Sequence, residues 1–180
     1  IRSLMDLPSG LKGNVKDIAI GAKFGVGADK EGKLYVWGDT RISNAKNIAD
    51  VPEIIGGAKL VAAGYDHAVV VDGRENIYVW GNDRNMQAKV PEDIYNHGNI
   101  VQIEAGYQMT LAVTDQNYVF AWGNENLNDT YADAESTFQG KIVKVAATND
   151  SAIGLTTDGE VVHVGLAKKA ISNIPASALK

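Results

Sequence analysis

The side chains best suited to acid–base or metal chemistry in this sequence are its histidines, His67, His97 and His163. A metal site needs several ligands at helical or hairpin spacing, and these three positions show no such spacing. The sequence contains no cysteine, which excludes thiolate ligands, cysteine nucleophiles and disulfides. We therefore predict no metal site. We also predict that His67 is a neutral imidazole in a structural hydrogen bond to backbone, and that His97 is exposed to solvent.

Two further patterns have the composition of functional loops. The glycine-rich stretch "GVGADKEGK" at 25–33 lacks the strand-then-helix context in which such loops bind phosphate. The pairs Asp72-Gly73 and Asp158-Gly159 lack the D-x-D-x-D-G spacing of a calcium loop, so we interpret both as hairpin turns. The sequence has no G-x-S-x-G motif and no recurring pair of carboxylates. It thus predicts no cofactor and no enzymatic activity.

Composition and charge narrow the class of partner. The 180-residue chain is 45% hydrophobic, enough for a core, and carries a net charge of -5 with no basic cluster. Binding to duplex DNA or to an anionic membrane surface depends on clustered positive charge. No apolar run approaches the roughly 20 residues of a membrane-spanning helix. We therefore predict a protein partner, no nucleic acid and no membrane insertion.

A short phrase that occurs three times determines the organisation of the chain. "YVWG" occurs at 35–38 and 78–81 and "FAWG" at 120–123, and together they contain all three tryptophans. The spacing of about 42 residues continues to a fourth unit, where Val164 and Gly165 replace the Trp-Gly pair. A glycine lies 16 residues before each tryptophan. The predicted structural motif is Gly21, Gly64, Gly106, Trp37, Gly38, Trp80, Gly81, Trp122, Gly123 and Gly165.

Each unit shows the pattern of three strands. The first strands, "VKDIAIG", "AKLVAAG", "IVQIEAG" and "IVKVAAT", alternate apolar residues, and the second and third strands are joined by turns rich in Gly, Asp and Asn. The polar loop that follows is expected to contain one short edge strand. Small or apolar residues at the first-strand positions predict a central channel without converging polar groups. These residues are Ile18, Ile20, Val61, Ala63, Ile103, Ala105, Val145 and Ala147.

One such unit is too small to be stable alone, so the copies must pack on each other. Several short strands every 40 to 45 residues or so, with a recurrent Trp-Gly, are typical of a propeller blade. We predict an all-β propeller of about four antiparallel blades, with tryptophan wedged between blades and glycine at the following turn. The predicted boundaries are 1–14 for the end of a preceding repeat or a closure strand, then 15–57, 58–99, 100–141 and 142–180 for the blades.

The stretches 60–83 and 143–165 resemble the regulator of chromosome condensation repeat, in its short bacterial and viral form. The similarity extends over about 8–180, although Phe24 and Met109 replace a family histidine and no unit carries the Gly-Gln that usually follows the Trp-Gly turn. The matching residues of the second unit are Ala63, Gly64, His67, Trp80 and Gly81. The resemblance implies a propeller, commonly of seven blades, with a binding or assembly function. A closed four-bladed ring, a homodimeric eight-bladed ring and a fragment of a seven-bladed ring all remain open.

Tyr65 and Tyr107 follow the first strand at equivalent positions of neighbouring units. Equivalent positions gather on one face of a propeller, so we expect the two rings to lie close together, either as caps of the blade core or as anchors for a protein. Variable polar loops on a uniform scaffold favour a non-catalytic protein-binding module. We expect a structural or decoration component of a virion or cell-surface assembly, bound to its neighbouring subunits. A secreted inhibitor-like binder and a guanine-nucleotide exchange-type regulator of a small GTPase are the alternatives.

Overall fold

The computed structural model describes residues 4–43, 46–123, 139–148 and 152–163, which form four antiparallel sheets of three strands each. These sheets are blades 1 to 4 of a β-propeller, in chain order with three consecutive strands each, and the predicted all-β class is confirmed. The strands are β1 (Val15–Ile20), β2 (Phe24–Asp29), β3 (Leu34–Gly38), β4 (Ala58–Ala63), β5 (His67–Asp72), β6 (Ile77–Gly81), β7 (Ile100–Ala105), β8 (Met109–Thr114), β9 (Val119–Gly123), β10 (Ile142–Ala147), β11 (Ala152–Thr156) and β12 (Val161–His163). Two 3-10 helices, Ser9–Leu11 and Glu92–Asn96, lie outside the sheets.

The turn between the second and third strands has the same backbone form in every blade. One residue of each turn lies in the left-handed region, which glycine and asparagine tolerate better than most residues. These residues are Gly32, Glu75, Asn117 and Gly159, with φ values of 85, 69, 64 and 82°. In blade 2 the Asp72 carboxylate accepts hydrogen bonds from the N–H groups of Arg74 and Asn76 and so stabilises the turn around Glu75. The two Asp-Gly pairs therefore lie in turns, as predicted.

Three hydrophobic cores lie between successive blades. Between blades 1 and 2, the second strand of blade 1 supplies Phe24 and Val26 and the first strand of blade 2 supplies Val61. The equivalent first-strand residues Ile103 and Val145 enter the next two cores. Each blade thus has a leading face, which carries Val61 in blade 2 and packs on the preceding blade. Its opposite, trailing face carries Val26 in blade 1 and packs on the following blade.

The blades approach each other closely where the first strands end. A Cβ atom on Gly21 would lie 2.5 Å from the carbonyl oxygen of Gly64 in the next blade. A Cβ atom on Gly64 would lie 2.4 Å from the carbonyl oxygen of Gly106, and one on Gly106 would lie 2.3 Å from that of Thr148. Real Cβ atoms essentially never lie within 3.0 Å of such an atom, so these positions require glycine. The inner ends of all four blades therefore surround one central depression.

Each tryptophan joins its blade to the segment that precedes the blade. The indole N–H of Trp80 donates to the carbonyl oxygen of Ile48, and that of Trp122 donates to the carbonyl oxygen of Gln87, each at 2.8 Å. Both rings pack against the core that their blade shares with the preceding blade. The glycine after each tryptophan has a positive φ that a side chain would strain. These glycines are Gly38, Gly81 and Gly123, with φ values of 87, 103 and 126°.

The N-terminal segment takes the corresponding place beside blade 1. The indole N–H of Trp37 donates to the carbonyl oxygen of Leu4 at 2.9 Å, and Leu11 is fully buried. Two strand glycines make room for these side chains. A Cβ on Gly25 would collide with the Trp37 indole, and a Cβ on Gly27 would collide with Leu11. The two glycines of "GVGADKEGK" that lie in the strand are therefore needed so that the Trp37 and Leu11 side chains can pack against it.

The expected edge strand in each outer loop is wrong for blades 1 and 2. The described part of 39–57 contains an isolated bridge between Arg41 and Asn47, and 82–99 contains the second 3-10 helix, with no further strand in either segment. Asn and Asp side chains in these loops accept hydrogen bonds from nearby backbone N–H groups. Such local bonds compete with a strand ladder, and proline removes a donor from it.

Part of the sequence prediction falls outside the described residues. This part contains Gly165 and most of the loop after β9, as well as everything after β12. The first strands begin at Val15, Ala58, Ile100 and Ile142. The division of the chain at 1–14, 15–57, 58–99, 100–141 and 142–180 stays a prediction.

Replacing the central glycine of the series tests the close approach of the blades. A Cβ in Gly64→Ala would collide with both the Gly106 carbonyl oxygen and the His67 ring. We expect a loss of about 2–3 kcal/mol in the free energy of unfolding, measured by denaturant titration. The control is Gly13→Ala, whose positive φ is strained but whose new Cβ has nothing within 4 Å. A loss of about 1 kcal/mol is expected there, and equal losses in the two variants would contradict the packing described.

Candidate protein-binding face

Tyr65 and Tyr107 lie side by side at the inner end of blades 2 and 3. Their ring centroids are 5.0 Å apart in an edge-to-face arrangement, so the predicted proximity is confirmed. The two residues remain 46% and 41% exposed. Both residues are therefore accessible to a partner.

Backbone contacts between the blades position the tyrosine pair. Each tyrosine directly follows one of the close-packed glycines, Gly64 or Gly106. The Tyr65 N–H donates to the Gly106 carbonyl oxygen at 3.1 Å, and this bond connects the turn of Tyr65 to the blade that carries Tyr107. The pair therefore lies on the rim of the scaffold and not on an outer loop.

Two concave surfaces adjoin Tyr65. One is the mouth of the central channel, a depression of about 570 Å³ lined by the inner ends of all four blades. The other is a groove of about 240 Å³ between blades 1 and 2, where Tyr65 and Asp66 lie with Lys23, Asp39 and Arg41. A protein that binds the tyrosines would also reach charged groups of both signs, as is common at the polar rim of an interface.

The channel wall is more polar than the sequence predicted. Along the first strands it encloses about 690 Å³, and the polar residues that line it are Asp17, Gln102, Glu104 and Lys144. Val61 and Ile103 also line this cavity, but both are buried, as is Val145, and all three belong to the cores between blades. The two faces of a first strand point toward the neighbouring blades and not toward the axis, so Val61 and Ala62 enter the cores on opposite sides of blade 2.

Asp17 and Gln102 use their polar atoms to join neighbouring blades. Oδ2 of Asp17 accepts a hydrogen bond from the Val61 N–H at 2.8 Å. The Gln102 amide accepts from the Val145 N–H at 2.9 Å and donates to the Val145 carbonyl oxygen at 2.7 Å. Gln102 also donates to the Glu104 carboxylate at 3.0 Å, and partial burial raises the pKa of Glu104. These groups are therefore engaged in structural bonds.

His67 forms a buried contact between blades 2 and 3. Its Nε2 atom lies 3.1 Å from the Thr110 hydroxyl oxygen, and the residue has no exposed surface. The predicted structural hydrogen bond is present, but its partner is a side chain of the next blade and not the backbone group that was predicted. Burial lowers the pKa of His67 to about 4, so the ring is neutral at physiological pH.

The side chain of His97 is 25% exposed, so the expected solvent exposure holds only in part. Its ring stacks on Tyr118 with 4.1 Å between centroids, and its Nε2 atom lies 2.9 Å from Oδ2 of Asp93. The 3-10 helix Glu92–Asn96 positions both groups, because it folds the outer loop back toward blade 3. His97 thus anchors a loop.

Sequence reasoning missed the role of Gln87. Its side chain is fully buried, and Oε1 accepts a hydrogen bond from the Asn85 N–H at 2.9 Å, while its carbonyl oxygen accepts from Trp122. The preceding residue, Met86, has a φ of 59°, a conformation that favours glycine. Met86-Gln87 therefore takes the place of the Gly-Gln pair expected after the Trp-Gly turn. The glutamine in "NDRNMQ" was the feature of the sequence from which this role could have been predicted.

A metal site and a membrane-spanning helix have no counterpart in the part of the chain that the structure describes. Within 4–43, 46–123, 139–148 and 152–163, no three His, Asp or Glu side chains are grouped so that they could hold a metal ion. No helix in the same ranges is long and apolar enough to cross a membrane. The expected absence of a metal, a cofactor and a nucleic-acid partner stays a prediction.

Comparison with known families identifies the type of repeat. Residues 100–128, which include β7, β8 and β9, match the regulator of chromosome condensation (RCC1) repeat. These residues are similar to a regulator of chromosome condensation repeat. The predicted resemblance is thereby confirmed. No curated protein matches the sequence.

Several solved structures have a similar fold. Prp20p from Saccharomyces cerevisiae is 18% identical with a TM-score of 0.68, over 92% of this chain and 47% of that protein. Human WBSCR16 is 19% identical with a TM-score of 0.63, over 89% and 49% of the two chains. The CRINKLY WD40 ectodomain of the Arabidopsis thaliana receptor kinase ACR4 is 18% identical with a TM-score of 0.60, over 83% and 49%. This chain therefore spans about half the length of each structure, and the likeness is one of fold.

The buried His67 predicts a pH-dependent stability. Its pKa is lowered to about 4 in the folded chain, so between about pH 6.5 and pH 4 the unfolded state binds a proton that the folded state does not. Stability must therefore fall as the pH falls through this window, by roughly 2–3 kcal/mol between about pH 7.5 and pH 4.5.

The matched variant is His67→Met, because Met109 is the buried residue at the same position of blade 3. Chemical denaturation at both pH values should show that this substitution removes most of the pH-dependent loss, whatever it costs at neutral pH. If the wild type and the variant lose the same stability on acidification, His67 is not the buried neutral group described.

Proposed function

We propose that this chain is a non-catalytic protein-binding module whose partner docks on the face that carries Tyr65 and Tyr107. The proposal is carried by one observation, the exposed edge-to-face pair 5.0 Å apart on the rim of the channel. Tyrosine gives a large, rigid contact surface with a polar end, and it is enriched among the residues that dominate binding energy. The groove beside Tyr65 adds charged groups that can select a partner.

The state of the polar groups in the channel supports a function without catalysis. Asp17 and Gln102 are bonded to the backbone of the next blade, and Glu104 accepts a bond from Gln102. His67 is fully buried, so it has no route to a substrate in the channel. A general acid or base must reach the reacting group, and neither the buried His67 nor the backbone-bonded Asp17 is placed to do so.

The partner that we propose is a neighbouring subunit of a larger assembly, with the chain as a structural or decoration component of a virion or cell surface. The resemblance of the repeat to its short bacterial and viral form supports this choice. A net charge of -5 without a basic cluster disfavours a nucleic-acid partner, because such binding depends on neutralising phosphates.

A protein with a similar fold, Prp20, is known to bind other proteins. The structure of Prp20p is described together with its binding of Gsp1p and histones, and a second structure shows yeast RCC1 (Prp20) bound by Kap60. These are properties of Prp20. For this chain, a guanine-nucleotide exchange-type regulator and a secreted inhibitor-like binder remain the alternatives, and the nature of the captured partner distinguishes them.

Photo-crosslinking from the tyrosine face tests the proposal. A benzophenone amino acid is placed at Tyr65 in one variant and at Tyr95 in a control, since Tyr95 is 53% exposed but lies in the 3-10 helix of an outer loop. In extracts of the natural source, we expect position 65 to capture a specific protein that position 95 does not. A GTP-binding protein at this position would favour the exchange-factor alternative.

The affinity of the captured protein is then measured for three alanine variants. Tyr65→Ala and Tyr107→Ala should each weaken binding by about 30-fold, in the range of hot-spot residues, and Tyr95→Ala should leave it unchanged within about twofold. Full binding by both face variants would show that the tyrosine pair is not the docking site.

A further inference from the structure

A groove between blades 1 and 2 opens beside Tyr65, on the face proposed for docking. It has a volume of about 240 Å³, below the roughly 300–1,000 Å³ of a pocket for a drug-sized ligand. Its apolar lining includes Phe24, which is buried, and Ile42. Its polar groups come from the turn after β1, the segment after β3 and the turn after β4. The groove therefore has room for one side chain of a partner.

The charged groups that line the groove differ in their exposure to water. Lys23 and Arg41 are exposed, whereas Asp39 and Asp66 are half-buried. Water and salt screen the field of an exposed charge more strongly than the field of a half-buried charge. The carboxylates therefore dominate inside the groove, although acidic and basic side chains are equal in number there.

Both carboxylates have oxygen atoms that can accept further hydrogen bonds. Oδ2 of Asp66 accepts a bond from the Asn82 side-chain amide at 2.7 Å, but Oδ1 is buried without a partner among the described residues. The Asp39 N–H donates to the Lys23 carbonyl oxygen at 2.9 Å. Within the described part of the chain, no hydrogen bond or ion pair reaches the Asp39 carboxylate. An ionised carboxylate can accept several bonds, so the groove offers acceptors to a donor from outside.

The aromatic ring of Tyr65 adds a second kind of contact. It lines the groove, and its edge-to-face contact with Tyr107 limits its movement. Aromatic rings attract cations, and a guanidinium group stacks on them more readily than an ammonium group does. A guanidinium group also donates several hydrogen bonds in one plane, an arrangement that matches a carboxylate. The ring and the acceptors together fit the chemistry of an arginine side chain.

We propose that this groove receives an arginine side chain of the protein that docks on Tyr65 and Tyr107. The guanidinium group donates to the Asp39 carboxylate, lies in the field of Asp66 and contacts the Tyr65 ring. The inference rests on the proposed function, because it names the chemical group by which that partner is recognised. An acidic side chain is disfavoured, since inside the groove it would lie against two carboxylates.

The exposed ammonium group of Lys23 gives the proposal a distinctive sign. This lysine opposes the entry of a cation, so Lys23→Gln should strengthen the binding of arginine. Asp39→Asn should weaken it, because the amide keeps the size of the carboxylate but loses its charge. The opposite pair of effects is expected for a groove that receives an acidic group.

Nuclear magnetic resonance titration of the full chain with N-acetyl-arginine amide tests the groove without the partner. We expect saturable shifts of the backbone amide signals of Lys23, Asp39 and Asp66, with a Kd on the order of 1–10 mM for so small a ligand. The matched probe is N-acetyl-citrulline amide, which has nearly the same shape but no charge. It should bind at least about tenfold more weakly.

Three variants complete the titration. Asp39→Asn should weaken the binding of N-acetyl-arginine amide by at least about fivefold, and Lys23→Gln should strengthen it by about twofold. The control is Asp50→Asn, an exposed position of the same outer loop that lies outside the groove. This variant should bind the probe like wild type.

The inference is overturned if the groove amides do not shift at about 50 mM N-acetyl-arginine amide, a concentration well above the expected Kd. It is also overturned if the citrulline probe binds equally well or if Lys23→Gln weakens binding. Failure of the proposed function gives a different result, because crosslinking from position 65 would then capture no protein while the arginine probe still bound. If a partner is captured and the titration shows no shift, the arginine inference alone falls.

Discussion

The contact between a strand-end glycine and the carbonyl oxygen of the next blade is the constraint on which the rest of this structure depends. Gly21, Gly64 and Gly106 lie so close to the following blade that no side chain fits. This close contact brings the first strands together around the channel and places Val61 and its counterparts in the cores between blades. It also places the residue after each glycine on a common rim, where Tyr65 meets Tyr107.

The sequence predicted those features that recur at a fixed phase of the repeat. The period of about 42 residues gave the number of blades, and the Gly and Trp-Gly positions gave the strand ends. The meeting of Tyr65 and Tyr107 was predictable for the same reason, since residues one period apart must be neighbours when identical units stack around an axis. At these positions the preference of the local sequence for strands and turns agrees with the position of the residue in the repeat.

The features that were mispredicted depend on non-local geometry. The two faces of each first strand point toward the neighbouring blades, so Val61 and Ala62 enter different cores, and no alternation pattern within a single strand reveals this. The outer loops fail to form the expected edge strands in blades 1 and 2 because their polar side chains bond to local backbone. The stacking of His97 on Tyr118 depends on how such a loop folds back, which the order of residues does not determine.

The central claim is that equivalent positions of successive repeats converge on one face. The most direct test is a nuclear Overhauser measurement on the folded chain with labelled tyrosine rings. The account predicts cross-peaks between the ring protons of Tyr65 and Tyr107, whose centroids are 5.0 Å apart although the residues are separated by a whole repeat. Absence of these cross-peaks, in a sample whose backbone amides show the described strand pairings, would contradict the blade-to-blade arrangement.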